Sequence, residues 1–149
     1  MSDEIRVRRM READLERVLQ IEHESYSTPW PESSFRGLLR RSDATLLVAD
    51  TNATVAGYAV SWAVLDQGEL GNIAVAPEYR RRGIARVLIE AVIDDMKDRG
   101  VRELFLEVRV SNVPAQTLYD QYGFEVIGRR RNYYENPVED ALVMRRMVG

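Results

Sequence analysis

The run Arg80-Arg81-Arg82-Gly83-Ile84-Ala85 sits between an apolar strand pattern, Asn72-Ile73-Ala74-Val75, and the most secure helical repeat in the chain. A strand that feeds a helix through a glycine-bearing turn belongs to a sheet with helices packed on it. The turn also has a local chemistry. A helix N-terminus presents unpaired N–H groups and the positive end of the helix dipole, and small residues at Gly83 and Ala85 let an anion approach the backbone. On these residues alone two readings stand: an anion cradle, or three arginines that solvate a helix start.

The flanking patterns fill in the architecture. Ile5 and Val7 alternate with charged residues as in a short strand, and Arg11-Glu12-Ala13-Asp14 opens a helical pattern carried by Leu15, Val18, Leu19 and Tyr26. Pro29-Trp30-Pro31 breaks the chain before a second short helix with Phe35, Leu38 and Leu39. Three antiparallel strands follow, Thr45–Ala49, Thr54–Val60 and Glu69–Val75, with turns expected at Asp50-Thr51-Asn52 and Asp66-Gln67-Gly68. Ile84, Val87, Leu88, Ala91, Val92 and Met96 repeat at helical spacing up to a stop at Gly100. Val101–Val110 alternates as a strand, Asn112 caps a helix with Ala115, Leu118, Tyr119 and Tyr122 inward, and Gly123 ends it. Two last strands lie near Phe124–Tyr133 and Ala141–Met147. The sum is a mixed α/β sheet of seven strands with helices on both faces, and 149 residues with 45% hydrophobic content suit one domain, residues 1–149.

Composition narrows the chemistry. With no cysteine there is no disulfide framework, thiolate metal site or acyl-cysteine intermediate. A net charge of -3 gives no general attraction to nucleic acid or an anionic membrane. The opening residues Met1 to Arg6 lead into no apolar run, and no stretch reaches the ~18 apolar residues of a membrane span, so a soluble cytoplasmic protein is expected. The sole histidine, His23, has no serine partner at a recognisable nucleophile elbow and reads as structural or solvated.

The turn stands as Arg80-x-x-Gly83-x-Ala85, and Leu106-Glu107-Val108-Arg109, Ser111-Asn112 and Leu118-Tyr119 to Gly123-Phe124 follow it in order. In these motifs, over nearly its whole length, the chain resembles the GNAT superfamily of acetyltransferases. Pro29-Trp30, Leu65-Asp66, Arg130-Arg131-Asn132-Tyr133-Tyr134 and Glu139-Asp140-Ala141 further resemble the RimI-type ribosomal-protein alanine N-acetyltransferases. The resemblance implies a mostly antiparallel seven-stranded GNAT fold that uses acetyl-CoA and no metal. It implies that the strand before the turn pairs with pantetheine through the backbone of Ile73, Ala74 and Val75. The pyrophosphate would sit on the amides of Arg81, Arg82, Gly83, Ile84, Ala85 and Arg86, with Asn112 touching the pantetheine arm. Asn112 equally reads as an N-cap alone.

Acetyl transfer from a thioester needs a neutral amine, a polarised carbonyl and a proton for the departing thiolate. The resemblance makes Glu107 the proton acceptor and Tyr119 the donor to the thiolate; a phenol of reference pKa ~10 suits that task. Without it, Glu107 reads equally as the partner of a neighbouring arginine, and Tyr119 as a core residue. A backbone N–H of the Ile73 to Val75 strand would polarise the carbonyl. Trp30, Tyr133 and Tyr134 are expected to wall the acceptor slot, against a reading of the tyrosines as ordinary strand aromatics. Arg129, Arg130 and Arg131 suit an acidic or RNA-associated target or a solvated hairpin; direct nucleic-acid binding is not inferred. The expected acceptor is a protein N-terminus, in particular a ribosomal protein beginning with alanine. The alternatives are a lysine or small-molecule amine, and a non-catalytic acetyl-CoA-binding module.

Overall fold

A computed structural model describes residues 4–149; Met1 to Asp3, part of the charged start from which no leader was expected, lie outside the described residues. The strands are β1 Ile5–Arg9, β2 Ala44–Thr51, β3 Thr54–Val64, β4 Gln67–Val75, β5 Glu103–Arg109, β6 Glu125–Tyr134 and β7 Glu139–Met147. The helices are α1 Leu15–Ser25, α2 Glu32–Leu39, α3 Ile84–Asp98 and α4 Val113–Gln121. The strands form one sheet in the order β1-β2-β3-β4-β5-β7-β6. Neighbours are antiparallel except β4 and β5.

Alternation along β2 builds two cores. Leu46 and Val48 join Val18 and Ile21 of α1 and Phe35 and Leu38 of α2 on one face. Leu47 and Ala49 join Leu88, Val92 and Met96 of α3 on the other, with Tyr119 of α4. Such a strand must be apolar on both sides, which is why its sequence runs almost unbroken from Ala44 to Ala49. Burial of each large aliphatic side chain contributes about 1.5–3 kcal/mol. The helices therefore lie on both faces, as the periodicities required.

The expected helix opening at Arg11 is instead a single 3-10 turn, Glu12–Asp14, and α1 starts at Leu15. Asp14 holds this turn by accepting from the Arg11 amide at 2.8 Å and from both terminal nitrogens of Arg8 at 2.8 and 2.9 Å.

Both expected hairpin turns move. Asp50 and Thr51 remain in β2, and the reversal is made by Asn52 and Ala53, both at positive φ (52° and 65°). Gln67 and Gly68 belong to β4, while Leu65, at φ 57°, makes the turn with Asp66. Gly68 serves packing rather than reversal, since a Cβ there would stand 2.6 Å from the Met96 sulfur. The Asp66 carbonyl accepts the Arg102 amide at 2.7 Å and so ties the hairpin to the start of β5.

Candidate active site

The parallel ladder joins only Gln67–Leu70 to Glu103–Leu106. At that limit the β3–β4 register shifts: Val60 faces Asn72 and Ser61 faces Leu70, leaving Gly71 as the extra residue of a bulge. A Cβ on Gly71 would lie 2.2 Å from the Trp62 ring. Beyond the bulge β4 follows β3 alone, and its backbone meets side chains instead of β5. The Ile73 carbonyl accepts the Tyr26 hydroxyl, and the Ile73 amide donates to Asn72 Oδ1 at 3.0 Å.

β4 then leads through a 3-10 turn, Pro77–Tyr79, into α3. Gly83 is the N-cap of α3, at φ 79°, and supplies no side-chain cap, so the first-turn amides keep their donor capacity. A Cβ built on Gly83 meets nothing within 4 Å among the described residues, so the space before these amides is open. Ile84, only 2% exposed, anchors the turn in the core beneath. A cleft of about 750 Å³ runs here, lined by Ile73, Ala74, Val75, Arg81, Gly83, Ile84, Ala85, Arg86 and Asn112. Arg82 alone among the expected cofactor residues does not line it; its guanidinium lies 5.3 Å from the centroid of the Tyr79 ring. Asn112 is an N-cap, its Oδ1 accepting the Ala115 amide at 3.2 Å, and it also lines the cleft. Open depth, a helix start without a side-chain cap and an unladdered strand fit a long, anionic, amide-bearing cofactor such as acetyl-CoA.

A second cleft, of about 540 Å³, brings together Glu107, Tyr119, Trp30, Tyr133 and Tyr134. The two clefts share Tyr26, Ile73, Asn112 and Tyr119. Trp30 stacks on Trp62, with centroids 6.5 Å apart, and packs at a tilt against Phe35 at 5.5 Å. The loop that carries Trp30 is thereby fixed to the α2 face of the sheet.

Glu107 projects from β5 into this second cleft with its side chain 15% exposed. Its Oε2 is buried without a hydrogen-bond partner among the described residues, and Arg130 Nε stands 3.6 Å away. The arginine neighbour considered for Glu107 is therefore present, at a distance too long for a direct hydrogen bond. Contact with the Glu107 carboxylate pushes the Tyr133 phenol up to about 12, burial adding to it. Burial likewise pushes Tyr134 up to about 12, and the Arg109 guanidinium lies 4.4 Å from its ring. Tyr119 is a core residue as well as a cleft residue: it is 6% exposed and packs edge-on against Phe124 at 5.7 Å. Its burial holds the phenol well above the ordinary tyrosine value. His23 is exposed, in keeping with a solvated residue.

Sequence reasoning missed Glu22, a carboxylate only 1% exposed at the wall of the second cleft. It accepts the Asn72 amide at 2.7 Å, the Trp30 backbone N–H at 2.9 Å and the Tyr58 hydroxyl. One signal was available: Glu22 lies four residues after Val18, on the apolar face of α1. Tyr26 was read only as part of that apolar pattern, whereas it caps α1 and spends its hydroxyl on Ile73. The arginine run divides: Arg129 pairs with Asp140 at 2.6 Å, and Arg130 turns toward Glu107 and lies 5.8 Å from the centroid of the Tyr133 ring.

Comparison with known proteins agrees with this geometry. The profile of the acetyltransferase (GNAT) family matches residues 15–124. A Salmonella typhimurium protein named [ribosomal protein bS18]-alanine N-acetyltransferase is 42% identical over 134 residues, covering 88% of this chain and 89% of its own. The crystal structure of the ribosomal-protein-S18-alanine N-acetyltransferase from Escherichia coli superposes with a TM-score of 0.91 at 35% identity, over 98% of this chain and 95% of that one. Ard1 from Thermoplasma volcanium, 24% identical, shares the fold with a TM-score of 0.91 over 97% of this chain and 98% of its own. With its splayed strands, its open glycine turn and a family match across most of its length, the chain belongs to the acetyltransferase (GNAT) family and is an acetyl-CoA-dependent N-acetyltransferase.

Proposed function

We propose that this enzyme, as a single domain, acetylates the N-terminal α-amine of a protein, and that its substrate is a ribosomal protein beginning with alanine. The observation that carries the reading is the meeting of two clefts at Tyr119, one against the α3 N-terminus and the other walled by Trp30, Tyr133 and Tyr134. The names of the Salmonella and Escherichia relatives support the choice of acceptor. So does basicity: an α-amine, reference pKa ~7.7–8.0, costs ~3 kcal/mol less to present as the neutral nucleophile at pH 7 than lysine at ~10.4. A ribosomal-protein acceptor places the enzyme in the cytoplasm.

In this reading Ile73, Ala74 and Val75 pair with the pantetheine arm, and the amides from Arg81 to Arg86 hold the pyrophosphate. Glu107 accepts a proton from the acceptor ammonium. The neutral amine attacks the thioester carbonyl directly, forming the C–N bond as the C–S bond breaks, and Tyr119 protonates the leaving thiolate. For the Ile73 amide to polarise the carbonyl, it has to exchange the Asn72 side chain for the acetyl oxygen.

Free-thiol release measured across a panel of acceptors tests the proposal. Turnover is expected on peptides with a free N-terminal alanine and not on N-terminally blocked peptides whose only amine is lysine. Turnover confined to lysine or small amines would move the enzyme to that alternative, and acetyl-CoA binding without turnover on any amine would make it a binding module. Glu107→Gln is expected to lower turnover at pH 7 by about 10²–10⁴-fold with acetyl-CoA affinity by calorimetry unchanged; full activity would remove Glu107 as the base.

A further inference from the structure

Acetylation of an ammonium releases a proton. Near neutral pH the α-amine arrives mostly protonated. Its nitrogen loses two protons on the way to the amide. One ends on the coenzyme thiol, by way of Tyr119, and the other has to leave the protein once per turnover. Glu107, the acceptor of that proton in the reading above, is 15% exposed and faces a cleft that bound peptide would fill.

A separate route leads away from it. Glu107 also lines a smaller cleft, about 290 Å³, which shares no other lining residue with the acceptor slot, together with Trp62, Gln67, Glu69, Phe105 and Arg130. Glu69 pairs with Phe105 in the parallel ladder, and Glu107 follows Phe105 by two residues, so the two carboxyls share one face of adjacent strands. Gln67 is exposed and the Arg130 side chain is 58% exposed, which gives the cleft access to bulk water. The neighbours that bear on Glu69 come from three elements: Trp62 from β3, Glu107 from β5, and Arg130 and Tyr133 from β6. Burial and the Glu107 charge raise the Glu69 carboxyl above the ordinary glutamate value, while Trp62 and Arg130 lower it. The raised Glu69 carboxyl is thereby readier to take up a proton beside the Glu107 charge.

We propose that Glu69 is the proton-relay residue of this enzyme: it takes from Glu107 the proton removed from the acceptor and passes it to water in the smaller cleft of about 290 Å³. The step moves one proton from the Glu107 carboxyl to the Glu69 carboxylate and from there to solvent, returning Glu107 to its basic form for the next cycle. No other bond changes. Tyr133 contacts Glu107 in the acceptor slot while Glu69 drains it into the smaller cleft, so peptide can remain bound while the base resets.

The inference rests on Glu107 being the base, and the test separates the two. Turnover is measured at saturating acetyl-CoA and peptide in dilute buffer and again with rising imidazole, for the wild type, Glu69→Gln, Glu69→Ala and Glu107→Gln. Circular dichroism and acetyl-CoA calorimetry report whether each variant is folded. Wild-type turnover is expected to be independent of imidazole. The Glu69 variants are expected to be about tenfold slower in dilute buffer and to recover as imidazole carries the proton instead. Glu107→Gln is expected to stay slow throughout. Glu69 variants that match the wild type in dilute buffer, or whose defect imidazole does not relieve, overturn the relay while leaving Glu107 as base. A fully active Glu107→Gln overturns the base itself. Should neither Glu69 variant fold, the wild type alone decides, because turnover that rises with imidazole would show that no built-in relay exists.

Discussion

As the proposed proton donor, Tyr119 would have to be packed and reactive at once, and its environment is compatible with both. A proton donor works only while protonated, and burial raises the phenol, so the donor form persists through the alkaline range instead of being lost near the reference value of ~10. The acceptor amine has the opposite requirement and gains reactivity as it deprotonates. The kcat/KM profile for an alanine peptide is therefore expected to rise through the amine's titration and then stay level to about pH 10, with no descending limb from Tyr119. A fall in kcat/KM below pH 9 in the wild type that Tyr119→Phe abolishes would contradict this. At this scale the sequence was legible only with help. Spacing marked Tyr119 as core, which it is, and only the family resemblance marked it as a donor. Glu22 was illegible for another reason: its partners Asn72 and Trp30 are 50 and 8 residues away, and a buried carboxylate in a helix cannot be told from a solvated one until those donors are placed.

At the scale of elements, the short strand segment from Gly68 to Asn72 does most to shape the site. Gly68 was expected in a turn and Gly71 in a strand; both sit inside β4, covered by large side chains, Met96 over Gly68 and Trp62 over Gly71. Helix and strand periodicity were readable from single elements, whereas these glycines answer to contacts between elements. Gly71→Ala is expected to displace Trp62, because its Cβ would stand 2.2 Å from that ring, and to carry Trp30 with it through the stack. The expected cost is about 1–3 kcal/mol of stability. The peptide KM is expected to rise several-fold while acetyl-CoA affinity by calorimetry stays near that of the wild type, since the turn at Gly83 lies beyond the end of this strand. Equal losses in both affinities would mean that Gly71 supports the whole sheet rather than the acceptor wall.

Across the whole molecule, function follows from where a seven-stranded sheet stops being continuous. β4 and β5 pair through Leu70 and Leu106 and then part, and both clefts open where they part. Strand number and the helices on both faces could be read from the chain, but the end of a parallel ladder is a nonlocal register that no window of sequence contains. A cofactor seated in the gap would bridge strands that the protein leaves unpaired, so cofactor binding and global stability are linked. Acetyl-CoA at about 100 times its Kd is expected to stabilise the fold by about 2.7 kcal/mol, which raises the melting temperature of a chain this size by about 5–10 °C. Gly83→Val sets the size of that shift against a control. Valine at φ 79° is strained, which lowers the baseline melting temperature by itself, and its side chain fills the space before the α3 amides. The variant is therefore expected to melt lower than the wild type and to gain little further stability from acetyl-CoA. A variant that melts lower but keeps the full ligand-induced rise would show that Gly83 serves the turn's backbone alone and that the cofactor is held elsewhere along the gap.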